Sequence, residues 1–290
     1  NVVLWAYGRQ ILFNSGGADY EKSQWRDYSV DTFSKNTVLV DGKPQVRDPK
    51  NLDLAFSKAP IDARWESNPD HDFGAGIYNE GYGSLDARPA THTRRVLFVK
   101  PDLFIVADTL VPNDTAEHTY QARWNLLTTK TQEDPQTQAV TTIDKDLPNL
   151  AIVPLHTTGL EVRSASAQSQ PELLGWYIQA GRSPEYMPAT TVVHTWHGAG
   201  VENFLTVLVP IPAGSPSPIK SAKATDTGSA TVTFNDGRIF SIVASPDPSG
   251  SVEVTETLAN GNVGRHVAIA AAVPPVASSA APSVVPPGAH

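Results

Sequence analysis

The chain has no cysteine, a single methionine and almost no helical periodicity. Without cysteine, disulfides and thiolate-held metals are excluded. No run approaches the roughly 20 apolar residues that a membrane-spanning helix needs. An excess of cations is missing as well. The formal net charge is −8, which argues against a general nucleic-acid or anionic-membrane surface, because both want a basic face. An acidic ligand would have to be met by a local basic patch.

Common catalytic signatures are absent too. There is no GxSxG, HExxH or His-x-His. His194 and His197 stand three apart on an expected strand and so point to opposite faces. His92, His118, His156 and His266 are isolated, and no carboxylate–histidine cluster has metal spacing. Gly74-Ala75-Gly76 and Gly81-Tyr82-Gly83 look like phosphate loops only superficially. No helix follows either one to supply the amides such a loop requires. The motifs call for no cofactor.

What is present reads as all-β. Runs of four to eight residues rich in Val, Ile, Thr, Leu and aromatics recur between Gly, Pro, Asn and Asp clusters. Strands are expected at, among others, Val2–Tyr7, Gln10–Phe13, Thr37–Val40, Leu52–Ser57 and Ala63–Trp65. Arg94–Val99 and Leu103–Thr109 form a hairpin across Lys100-Pro101-Asp102. Phe204–Val209 is nearly continuous in apolar residues, as a strand covered on both faces should be. So many strands imply a large multi-sheet antiparallel β-sandwich.

Composition shifts near Pro210–Pro218. Residues 1–212 are expected to form the main sandwich, and 213–270 its remaining strands or a small accessory sheet. Residues 271–290 read as a Pro/Ala/Ser-rich tail. Thr, Ser, Asn, Gly and Pro richness without cysteine points to a secreted or periplasmic protein. Asn1 is not a start methionine and Val2–Trp5 reads as mid-strand, so the chain is expected to be a fragment.

The stretch Gly8–Gln45 concentrates candidate chemistry. Between two strands it carries Tyr20, Trp25, Arg26 and Tyr28, with Lys22 and Lys35 nearby. Free tyrosine has a pKa of about 10, so it serves as acid or base only where cations stabilise the phenolate. Otherwise it packs its ring and leaves the hydroxyl at the surface.

Several segments together carry a resemblance: Leu4–Gly16, Trp25-Arg26-Asp27-Tyr28, Lys35–Gln45, His92–Asp108 and, more weakly, Gly175-Trp176-Tyr177 on to about Pro212. In order and spacing they are similar to the C-terminal β-sheet portion of the heparinase II/III-like polysaccharide lyases. That family, which includes heparinases and alginate lyases, joins a helical toroid to a multi-sheet sandwich, with the glycan cleft between them.

The resemblance implies β-elimination on an acidic, uronic-acid-containing polysaccharide, with this chain as the sheet-side wall. It implies Tyr20 as the catalytic acid/base on that side; Arg26, Arg94 and Arg95, as cationic lining, and Tyr28 are the candidate substrate-binding residues. It also implies an N-terminal helical-toroid half as a separate or cleaved partner chain, without which the sheet half is expected to be inactive.

The family often holds a zinc ion with an Asp in the first turn and a His before the next strand. Here Asn14 and Lys35 take those positions. An amide oxygen is a weak ligand and an ammonium cannot coordinate, so no metal is expected, and the Lys35 charge is expected to stand in for it. Rival readings are a non-catalytic carbohydrate-binding or structural module, or a pseudo-enzyme. The upstream reading frame separates the lyase from the module, whereas a pseudo-enzyme has the same sequence signature as the lyase.

Overall fold

The structure is a computed structural model describing residues 1–16, 22–46, 64–179, 184–225 and 228–271. Three antiparallel sheets stack into successive layers. The first runs in the order Leu4–Ala6, Arg9–Leu12, His118–Leu126, Thr190–Gly198, Glu161–Ser166, and Val38–Val40 also pairs with His118–Leu126. The second has eight strands: Thr131–Glu133, Val140–Thr142, Asn149–Pro154, Glu202–Ile211, Leu103–Pro112, Ala90–Val99, His71–Tyr78 and Arg64–Ser67. The third is a meander of Ile219–Ala224, Ser229–Phe234, Ile239–Ala244, Val252–Thr257 and Val263–Ile269.

The all-β sandwich expected from the sequence is what forms, and the second sheet is its middle layer. One of its faces packs Val106, Val140, Ile152 and Leu208 against Leu12, Trp124 and Val192 of the first sheet. Its other face packs Phe73, Leu97, Leu205 and Val207 against Val232, Phe240 and Val254 of the third. Successive strand residues point to opposite faces, so a middle-layer strand has no solvent side, and Phe204–Val209 is buried throughout. The turn at Lys100–Asp102 sets the register of its hairpin, pairing Val99 with Leu103 and Arg94 with Asp108.

Two small elements decorate the end of the first sheet. Gln24–Val30 is a helix within a segment that reads from sequence as irregular loop. Ser23 caps it, with its Oγ accepting from the Arg26 amide at 3.2 Å. A hairpin of Trp176–Gln179 and Glu185–Pro188 lies beside it. Gly175 starts that hairpin at φ +69°, where an added Cβ would stand 2.4 Å from the Ala165 carbonyl oxygen, so only glycine fits. The expected strand Leu52–Ser57 and the tail from 272 onward lie outside the described residues. Among the described residues no helix is long and apolar enough to cross a membrane.

Candidate functional site

Tyr20 itself lies outside the described residues, but both ends of its loop are inside them. The incoming end is fastened to the hairpin. The Gly16 amide donates to the Ile178 carbonyl at 2.9 Å, and the Ser15 hydroxyl donates to the Trp176 carbonyl at 3.0 Å. The outgoing end is the capped helix Gln24–Val30. Tyr28, on that helix, is buried and donates its hydroxyl to the same Trp176 carbonyl at 3.1 Å.

Lys35 closes the frame. Its ammonium donates to the Ser29 carbonyl at 2.7 Å and the Ser15 carbonyl at 3.1 Å, joining helix to loop root. Burial pulls its pKa down to about 8, against a smaller opposing effect from Asp31, so the group is still charged at neutral pH. Next to it, Asn36 is fully buried and ties three segments together. Its amide nitrogen donates to the Val2 and Phe13 carbonyls at 2.6 and 2.8 Å, and its oxygen accepts from the Asn125 amide at 2.6 Å. Asn125 continues through Thr191 to the amide of Gly175 at the hairpin's start. This relay was not singled out from sequence. Its only signal there was an asparagine immediately before an apolar strand.

The two neighbouring arginines diverge, as consecutive strand residues must. Arg94 faces the first sheet and grips Asp108 through Nε at 2.6 Å and Nη2 at 2.8 Å, and its Nη1 donates to the Asn36 carbonyl. His92 donates from Nε2 to the same Asp108 carboxylate at 2.7 Å. Burial alone would raise Asp108. The Arg94 charge, with the His92 bond, more than reverses this and holds the carboxyl well below the usual range.

Arg95 faces the third sheet, only 2% exposed, and donates to the Ser245 carbonyl at 2.7 Å and the Gly250 carbonyl at 3.1 Å. Of the residues expected to bind substrate, Arg95 and Tyr28 are therefore sealed into packing. Arg94 is committed to Asp108, and Arg26 is half-buried on the helix. The structure does not bring the four together on one surface.

A cleft of about 970 Å³ opens elsewhere on the second sheet, bordered by Trp65, Gly74, Gly76, Tyr78 and Arg94. Ser15, Tyr28 and Lys35 do not border it, but Asn1, Val2 and Thr37 do, and Asn36 bonds to the first two of these.

The zinc positions do not suit zinc. Asn14 is exposed, and the Lys35 nitrogen is spent as a donor to two carbonyls. Among the described residues no three His, Cys, Asp or Glu side chains converge as ligands.

The family model described as "Heparinase II/III-like, C-terminal" matches residues 1–262. The chain belongs to that family. Solved structures agree on the heparinase-like fold. The heparan sulfate lyase HepC from Pedobacter heparinus superposes with a TM-score of 0.63 at 17% identity, covering 92% of this chain and 36% of that one. A structure of heparinase III gives a TM-score of 0.59 at 15% identity, covering 92% and 35%. This heparinase II/III-like chain thus spans little more than a third of the solved relatives' length. No curated protein matches it in sequence.

Proposed function

We propose that the chain forms the sheet-side wall of a polysaccharide-lyase cleft that takes an acidic, uronate-containing glycan. In β-elimination a base removes the C5 proton, the C4–O4 bond breaks as a C4–C5 double bond forms, and an acid protonates the departing O4. Tyr20 is the residue of this wall assigned to that proton traffic. Its loop is pinned at Ser15 and Gly16 and again at the capped helix, which suits a side chain that must be held for reaction. Lys35 sets a positive charge at the root of the same loop, beside the Ser15 carbonyl.

The observation that carries this reading is the family match across residues 1–262, backed by similarity to solved heparan sulfate lyases. The test is Tyr20→Phe in the full-length protein, which removes one oxygen and leaves the ring. Elimination on heparan sulfate and alginate, followed by ultraviolet absorbance of the unsaturated product, is expected to fall by about 100-fold or more. A wild-type rate would overturn the assignment. The rival reading, a glycan-binding wall without catalysis, draws on Asn14 and Lys35 standing where metal ligands would be. It requires glycan binding with no unsaturated product from the wild-type protein.

A further inference from the structure

Beside the framed loop the helix and the hairpin build a small aromatic surface that the proton chemistry does not use. By register, Trp176 pairs with Pro188 and Ile178 with Tyr186, so these four side chains share one face of the hairpin. Trp25 of the helix packs onto that face. It meets Trp176 edge-on with ring centroids 5.1 Å apart at 85°, and lies over Tyr186 at 4.6 Å and 40°. Trp176 is itself locked by its indole nitrogen, which donates to the Gln168 carbonyl at 2.9 Å. The opposite hairpin face is anchored as well, with Tyr177 edge-on to Phe13 at 5.1 Å. The rings are therefore held in fixed planes before any ligand arrives.

Tyr186 is 40% exposed and Trp25 half-buried, so the pair shows one aromatic face to solvent. Among the described residues, the exposed neighbours along the two elements are Lys22, Gln24, Asp27 and Glu185, with Pro188 on the same hairpin face and Val30 at the helix end as the apolar ones. A patch of two rings and a proline with a largely polar rim is small against the area a stable protein interface buries. It matches a pyranose ring, which offers a flat C–H face for stacking and hydroxyls at its edge for the rim.

We propose that the Trp25–Tyr186 pair is a stacking subsite for a sugar unit of the glycan. The inference rests on the polysaccharide reading above and adds a binding residue to it. Stacking is neutral, so this subsite grips the sugar ring rather than its charge, and its contribution persists at salt concentrations that weaken ionic contacts.

The test is binding of heparan sulfate and alginate hexasaccharides to the full-length protein, at low and high sodium chloride. Tyr186→Ala is expected to weaken the Kd of the hexasaccharide that binds by roughly threefold to tenfold at both salt levels. Tyr186→Phe is expected to bind as wild type. If Tyr186→Ala loses the fold, Tyr186→Leu, which keeps apolar bulk without a flat ring, replaces it with the same expectation. Wild-type affinity in the ring-less variant overturns the subsite. So does an equal loss in Tyr186→Phe, which would assign the effect to the hydroxyl. If the wild type eliminates either glycan while Tyr186→Ala binds normally, the subsite alone fails. If the wild type neither binds nor cleaves either glycan, the polysaccharide reading fails with it.

Discussion

His194 sits in the interior of the first sheet with no hydrogen-bond partner on either ring nitrogen among the described residues. Its neighbour two residues on, Trp196, meets it edge-on at 5.9 Å. Burial pulls the imidazole pKa down to about 3, so the folded protein keeps it neutral. The sign of the linkage follows. Below about pH 6.5 the unfolded chain takes up a proton that the folded chain refuses, so stability falls as pH drops from there towards 3. At pH 5 the loss from this residue is about 2 kcal/mol. His194→Leu removes both the titration and a buried unpaired polar group. It is expected to be at least as stable as wild type at pH 7 and to retain about 2 kcal/mol more at pH 5, as read from urea unfolding at the two values. Equal losses in the two proteins would show that the acid sensitivity lies elsewhere. The sequence separates His194 from His197 correctly, since strand alternation makes one buried and the other exposed. It could not show that the buried ring lacks partners among the described residues, which depends on what the neighbouring elements place around it.

At the scale of elements, the frame around the Tyr20 loop is a lattice of main-chain carbonyls gripped by side chains, with Lys35 holding two of them. Lys35→Met keeps the stem and removes the donor that joins the Ser15 and Ser29 carbonyls, leaving Ser29 its bond from the Ser34 hydroxyl at 3.4 Å, at a cost of about 1–3 kcal/mol. The loss is expected to be local. Amide exchange at Gly16 and Asp31, whose bonds run to Ile178 and Asp27, should speed up well beyond exchange at middle-sheet amides such as Leu205. Uniform acceleration across the molecule would mean that Lys35 supports the whole fold rather than this frame. The strands of this region were legible because period-two patterning and turn residues mark them. The helix was not, because seven residues give too little periodicity to register, and Ser23 was its one start signal. Arg94 and Arg95 were both taken as cleft residues, although alternation alone separates them. Counting back from the Lys100–Asp102 turn even predicts that Arg94 faces Asp108. The hairpin carrying Trp176 and Tyr186 was harder to see, since Glu185–Pro188 is polar, and its role emerges only from packing against the helix.

For the molecule as a whole, the question is whether the third sheet is an accessory or part of one cooperative body. The family match continues across Pro210–Pro218 to residue 262, and the apolar layer between second and third sheets is a single cluster. Polar contacts rivet the same joint. Asp102, at the hairpin turn of the second sheet, binds Arg238 at 3.0 Å and also Arg265, and both arginines meet Glu256 at 3.0 and 2.6 Å. Arg95 reaches across to the Ser245 and Gly250 carbonyls. A shared core of this kind makes the two sheets unfold together, because neither can expose its inner face alone without putting the other's apolar residues into water. Arg95→Met tests this. It deprives the buried Gly250 carbonyl and the part-buried Ser245 carbonyl of their donor, at about 1–3 kcal/mol for the buried one, and a chain of this size should lose about 2–4 °C per kcal/mol. One body gives a single calorimetric transition moved down as a unit, with tryptophan fluorescence from Trp124 and Trp196 in the first sheet melting at the same temperature as the strand signal in circular dichroism. Two transitions in the variant, with the first-sheet fluorescence unmoved, would make residues from 213 onward a separate domain resting on the sandwich.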